Sequence, residues 1–467
     1  MRLSHALANT RAVFDDPNLI AHAGLAPLAA LAGRAGLPEL LAGVLPGGPC
    51  GSGAVTKATC LVAGMAAGAD SIDDMGLLRD GAMETLFSGV RAPSTLGSHL
   101  RSYTWGNVRQ LDKAHRGFLA ALARDPRLLP GREALTFVDI DSTQKRVYGY
   151  QKQGAAFGHA KIAGKSLLVR GLNPLISVIS TPLAAPVLGP VRLRGGSAGS
   201  ARGAAGLAAE AIGAARDCGC TGKIVVRMDS AYYNAAVIAT IRRGRACVSV
   251  TVPINSSVRA AIAGIGDDDW MAIEYPQAIW DDQLDCLVSD AEVAEIQYTA
   301  FASKKKSEQV TARLIVRRVR ARNDRAADGM DELFPAWRYH AVFSDSPFEL
   351  AQAEGQHRDH AIVEQVIADL YAGPLAHLPS GHFGANSAWL VIAAMAHNLL
   401  RAAGTLAGRR HAKARTATIR RDLVTMPART ARHGRGNLVL HLPAGHHREQ
   451  AWLNLWTAAC GPPPIAA

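Results

Sequence analysis

The feature that most limits what this chain can fold into is the short run Thr136–Asp141, TFVDID. Phe137, Asp139 and Asp141 fall on one face and Val138 and Ile140 on the other, the two-residue period of a strand. The run ends in a carboxylate and is followed by Ser142-Thr143. A second run, Lys223–Met228 (KIVVRM), ends the same way, in Asp229-Ser230. Apolar strands that each deliver an Asp at their end predict an α/β core with those acids at the edge where open α/β sheets bind ligands.

The rest of the chain is arranged around this core. Residues 1–130 carry apolar positions at three- and four-residue spacing, without convincing strand alternation, and read as a helical N-terminal domain. Proline and glycine clusters at 46–53 and 129–131 mark joints. Ala92-Pro93-Ser94-Thr95 precedes a helical run through Leu100 and Arg101, with the Ser or Thr as N-cap. A helix-turn-helix and a lone capped helix both fit it, and DNA-end binding is assigned to this region.

Residues 131–247 form the first part of the core, with strand at Leu167–Val178 broken at Asn173-Pro174, an Ala-rich helix at Gly206–Asp217 and another helix at Ala235–Arg243. From 248 to 345 strand-like runs (Ala291–Phe301, Ala312–Val319, Trp337–Phe343) alternate with polar segments, one of them Lys304-Lys305-Lys306. This stretch reads as a mostly β insertion. Helix dominates 346–406, and 407–467 reads as a basic, proline-punctuated tail.

Charge points to the partner. The chain of 467 residues carries a formal charge of +12, and from Arg401 onward eleven Lys or Arg face only Asp422 and Glu449. Clustered cations of this kind gain affinity for a nucleic-acid backbone by releasing condensed counterions. Seven cysteines, an odd number without paired zinc-type spacing, read as reduced intracellular thiols. The apolar run Trp389–Leu400 contains His397 and Asn398 and is too short and too polar to span a bilayer. The expectation is a cytoplasmic, nucleoid-associated protein without a membrane partner.

A third acid stands in a helix predicted over Asp359–Tyr371. Ile362, Val363, Val366, Ile367 and Leu370 form its apolar face; His357, His360, Glu364 and Tyr371 recur at offsets of three, four and seven on another. Glu364 is thereby grouped with side chains able to contact phosphate.

In these residues the chain resembles the DDE transposases of bacterial insertion sequences, of the cut-and-paste type whose RNase H-like catalytic fold is interrupted by a β-rich insertion. The likeness runs from about Leu135 to Leu400. Asp141-Ser142-Thr143 is similar to the first family motif, Arg227-Met228-Asp229-Ser230 to the second, and Glu364 with Ile367 and Asp369 to the third; Asn398-Leu399-Leu400 resembles the family's Asn-x-Leu. Between the acids lie separations of 88 and 135 residues, the longer of which accommodates the insertion. His357, His360 and Tyr371 depart from the Tyr, Arg and Lys that members often place around the Glu, with Arg358 close enough in sequence to substitute.

The resemblance implies an α/β protein with an RNase H-like core, a mostly β insertion and a preceding α-helical domain. It implies two-metal phosphoryl transfer, with two Mg²⁺ or Mn²⁺ ions held by Asp141, Asp229 and Glu364 and with Asp139, His357, Arg358 and His360 in support. Its substrates would be double-stranded DNA, the terminal inverted repeats and the target, with a dimer in the synaptic complex. Asp139 is the rival to Asp141, sharing its strand face, and Gln153-Gly154 and Gly158-His159 resemble a hairpin that follows the first Asp. A structure-specific nuclease that cuts without joining and a DNA-binding remnant without catalysis are the competing functions.

Overall fold

The computed structural model describes residues 4–45, 53–149, 151–162, 165–273, 279–281, 286–288, 291–320, 337–432, 434 and 437–461. Nearly all of the Pro/Gly cluster at 46–53, with Cys50, lies outside the described residues.

Residues up to 130 contain a two-residue strand, β1 (Leu19–Ile20), and the helices α1 (Leu25–Arg34), α2 (Leu37–Val44), α3 (Ala54–Ala67), α4 (Met83–Leu86), α5 (Pro93–Arg101) and α6 (Trp105–Leu122). Helix α6 starts at a capping box: Thr104 Oγ1 accepts from Asn107 N at 3.3 Å while Asn107 Oδ1 accepts from Thr104 N at 3.1 Å. The Ser or Thr cap expected for α5 is not made. Its cap is Ala92 and Pro93 opens the helix, where a residue without an N–H leaves less to cap. Val108, Leu111, Phe118 and Leu119 commit α6 to the core.

The core of the molecule is a mixed sheet. In chain order its first strands are β2 (Leu135–Ser142), β3 (Lys145–Arg146), β4 (Ala156–Ile162), β5 (Lys165–Ser180) and β6 (Val187–Gly195). After α7 (Ala204–Asp217) come β7 (Lys223–Met228), α8 (Ala235–Arg243), β8 (Cys247–Val252) and α9 (Ser256–Ala263). Then follow β9 (Met271–Ala272), the separate ribbon β10 (Ile279–Asp281) and β11 (Cys286–Val288), and three long strands, β12 (Ala291–Ala300), β13 (Val310–Arg320) and β14 (Trp337–Ser344).

The order across the sheet is β3-β5-β2-β7-β8-β14-β13-β12-β9, with β4 and β6 also paired to β5. Strands β2, β7 and β8 run parallel to one another, and the remaining pairs are antiparallel. Strand β8, placed by the sequence reading in the β-rich stretch, is therefore part of the parallel centre, and β12–β14 extend the same sheet outward. Strand β5 runs unbroken through Asn173-Pro174. Its pairing with β2 ends at Leu175, so no ladder bond to β2 needs the N–H that Pro174 lacks.

The last part of the chain holds α10 (Leu350–Arg358), α11 (Ile362–Tyr371), α12 (Phe383–Ala407), α13 (Arg409–Ala412), α14 (Thr416–Ile419), strands β15 (Ala428–Arg432) and β16 (Leu438–His441), and α15 (Glu449–Cys460). Helix α12 is long and apolar enough to cross a bilayer, but protein encloses it, with α6, β6, α3 and α15 against it. Its Asn398 amide bonds the edge of β6 as a strand would: Leu188 N donates to Oδ1 at 2.8 Å and Nδ2 donates to Leu188 O at 2.7 Å.

The segment expected to be a tail is instead built into the fold. Strand β15 pairs with β1 and β16, Trp452 and Leu455 of α15 are buried, and Arg34 of α1 donates to the carbonyls of Ala458 and Ala459 at 2.5 and 3.0 Å. Basic residues hid this from a hydrophobicity pattern because most of the described ones are exposed while a few large apolar side chains do the anchoring. One contiguous hydrophobic core reaches from Ile20 to Ala459 and includes the N-terminal helices.

Candidate functional site

Strands β2 and β7 stay in register through Ile140 and Met228, so Asp141 and Asp229 are the next residues on two neighbouring parallel strands. Parallel neighbours lie roughly 4.8 Å apart, which sets both acids at one edge of the sheet. Asp141 is largely buried, and Ser142 N donates to its Oδ1 at 2.6 Å. Asp229 is exposed and caps the short turn Ser230–Tyr232, accepting from Ala231 N at 3.0 Å. Glu364 is exposed in the first turn of α11.

Burial pushes the Asp141 carboxyl up to about 6; the bond from Ser142 opposes this, Asp229 adds to it, His360 lowers it, and Glu364 raises it again. The three acids thus act on one region of space. Among the described residues, however, no group of three or more His, Cys, Asp or Glu is gathered closely enough to hold a metal ion. The donor set is chemically suited to hard divalent cations, which favour oxygen ligands.

Two residues before each Asp, the same strands carry a different pair. Asp139 and Arg227 stand opposite each other in the register and are both buried. Arg227 Nε and Nη2 donate to the two Asp139 oxygens, each at 2.7 Å, and Nη1 donates to Gln356 O at 2.5 Å. The guanidinium also lies 3.9 Å from the centre of the Phe137 ring. His360 Nδ1 bonds Asp139 Oδ1 at 2.8 Å. Asp139 is therefore occupied as a bolt between β2, β7 and the end of α10 rather than open as a ligand.

The helix predicted over Asp359–Tyr371 is divided. Helix α10 ends at Arg358, a 3-10 turn spans Asp359–Ala361, and α11 begins at Ile362. The break separates residues that a continuous helix would align. His357 does not join Glu364: its Nδ1 and Nε2 bond Ser249 Oγ and Thr251 Oγ1 of β8 at 2.8 and 2.9 Å, and burial pushes its pKa down to about 3. Both nitrogens of this ring are engaged by β8. Arg358 Nε donates to buried Glu354 at 2.9 Å.

Tyr371 is likewise turned inward. Its hydroxyl bonds Thr143 Oγ1 at 2.9 Å and Lys145 Nζ sits 4.4 Å from its ring centre, so the end of α11 is fixed to the segment that follows Asp141. Burial pushes the phenol up to about 12. The hairpin after Asp141 is present as β4–β5, and Gln153 ties it to the start of α12 by accepting from Phe383 N at 3.0 Å. Lys304–Lys306 lie at the β12–β13 connection, with Lys304 Nζ 3.2 Å from Glu308.

Residues without an assigned role in the sequence reading complete the surroundings. Arg194 of β6 is buried, bonds Asn173 and three carbonyls, and lies within the field of the Asp141 carboxylate. Its signal, an Arg in an apolar strand, was available. So was that of Arg227, which sits two positions before Asp229 as Asp139 sits two before Asp141.

The family model described as Transposase DDE domain group 1 matches residues 7–458. No curated protein matches the chain.

Proposed function

The chain belongs to the DDE transposase family, and from that premise we propose that it binds the terminal inverted repeats of an insertion element and catalyses DNA cleavage and strand transfer. The observation that carries this reading is the placement of Asp141 and Asp229 on adjacent parallel strand ends, with Glu364 acting on Asp141 from α11. Asp141, Asp229 and Glu364 would hold the divalent ions, Mg²⁺ or Mn²⁺. Bound there, a pair of such ions supplies activation of the attacking oxygen and stabilisation of the leaving 3′ oxygen.

The chain's own residues give this chemistry its frame. The Asp139–Arg227 bolt sets the relative height of the two strand ends, so that the carboxylates of residues 141 and 229 emerge together. The Tyr371–Thr143 bond fixes the far end of α11, which limits the positions Glu364 can take. The RNase H-like character of the core, the extension by β12–β14 as its insertion and DNA-end binding by the N-terminal helices belong to the same proposal. A dimer in the synaptic complex and a nucleoid location go with it.

The test is nicking and strand transfer on labelled duplex ends with Mg²⁺, with electrophoretic binding in parallel. Asp141→Asn, Asp229→Asn and Glu364→Gln should each abolish cleavage and leave binding intact, because each removes a charge the ions need. Full activity in Glu364→Gln would remove the triad. That no group of three such residues among those described is gathered closely enough to hold an ion favours one second reading, a DNA-binding protein without catalysis; absence of nicking by the wild-type chain on its own end sequences, with binding retained, would establish it.

A further inference from the structure

Behind α11 lies a cleft of about 500 Å³ that holds none of the three acids proposed to bind the ions, although Arg227 of the bolt reaches one of its walls. Its walls are the connection between β5 and β6, Phe137 of β2 and Arg227 of β7, the turn from Arg358 through α11, the middle of α12 and the segment 413–415. Glu364 is not among the lining residues.

The cleft has buried polar groups with unspent bonding capacity. His397 is 5% exposed, and its Nε2 has no hydrogen-bond partner among the described residues. Burial pushes this ring down to about 3, so it stands neutral with Nε2 facing no partner among the described residues. Arg401 is 3% exposed; it donates to the carbonyls of Ala412 and Ala414, while its Nε has no partner. Two further cations, Lys413 and Arg415, are exposed around the cleft. Asp369, which also lines it, is engaged by Thr416 N and Oγ1 at 2.9 and 3.1 Å.

Arg401, Lys413 and Arg415 outnumber the carboxylates on these walls, Asp359 and Asp369, the second of which acts on Arg401, and this excess of cations favours an anion. A buried ring nitrogen without a partner on the same floor calls for a hydrogen-bonding group, since a buried polar atom left unbonded costs free energy. The volume falls within the range of sites for whole small molecules and exceeds what a lone inorganic anion fills. We propose that this cleft binds a nucleotide, its phosphate toward Arg401, Lys413 and Arg415 and a polar group of its base or sugar on His397 Nε2. A free mononucleotide and an unpaired nucleotide at a DNA end share this chemistry. The site does not depend on the transposase reading, although an occupant would rest against the helix that carries Glu364.

Calorimetric titration of the full chain in EDTA tests it, with inorganic phosphate, deoxyadenosine monophosphate and a short single-stranded oligodeoxynucleotide as probes. The mononucleotide should bind at one site and more tightly than phosphate. Lys413→Ala/Arg415→Ala, a change at two exposed positions, should weaken it about tenfold or more, the scale of one charge-assisted hydrogen bond. His397→Phe should erase the preference over phosphate, and His397→Gln, which keeps a hydrogen-bonding group, should retain part of it. Binding of the oligonucleotide alone, weakened by the double substitution, would support the site with a DNA end as its occupant. Equal affinity for phosphate and mononucleotide, or affinities for all three probes that ignore residues 413 and 415, would overturn the proposal.

Discussion

At positions 139 and 227 strands β2 and β7 bring an acid and a base face to face inside the protein; two residues on, at 141 and 229, they bring two acids to the edge of the sheet. The first pair is closed. Every Asp139 oxygen is bonded, and Arg227 reaches a carbonyl and a ring besides. The second pair is left open, with one member pushed toward its neutral form by burial and by like charges. The same strand geometry thus serves cohesion in its interior and keeps reactive capacity at its end.

The largest effect should come from breaking the closed pair. Arg227→Leu leaves Asp139 buried without its main counter-charge, and removal of one partner from a buried pair costs about 3–5 kcal/mol. Urea unfolding would measure it. A loss below about 1 kcal/mol would mean that His360 and solvent compensate, and that the pair is not a bolt.

The open pair should respond in the opposite direction. The folded Asp141 carboxyl titrates near 6 against an ordinary 3.8, so its ionisation opposes folding. That penalty is absent below pH 3.8, grows as pH rises toward 6 and is constant above it. Asp141→Asn should therefore stabilise the metal-free protein by up to about 3 kcal/mol at pH 7 and by almost nothing at pH 4. Unfolding curves across that range would check the sign; equal stability of the two proteins at pH 7 would show that water reaches the carboxylate freely.

Tyr371→Phe should give the smallest effect. It deletes the bond to Thr143 while keeping the ring under Lys145, a loss of about 0.5–1.5 kcal/mol. Because that bond fixes the far end of α11, the comparison sharpens if nicking falls by more than the stability change alone explains.

Much of this arrangement was legible in the sequence. Lys223–Met228 and Ala235–Arg243 are read with the bounds the structure gives them, because one period dominates each and Asp or Gly ends it. The acids were legible as residues, since a carboxylate after an apolar strand is conspicuous. Their spacing in space was not, because it depends on where α11 begins, and a 3-10 turn over three residues leaves no trace in a hydrophobic period. Strand β1 escaped for a similar reason. Two residues cannot display alternation, and its partner β15 lies in a stretch whose arginines mask the pattern.

That small strand has a consequence for the order in which the molecule can assemble. Ile20 pairs with Ala428, about 400 residues later, so this contact closes one of the longest loops the chain contains and is among the last to be rewarded during folding. A ribosome that has released the helices of the first hundred residues still holds their partner strand. Those helices must wait, with α1 lacking the cover that α15 will provide. During that interval the unfinished face of α1 is where a nascent chain of this design is most exposed to misassociation.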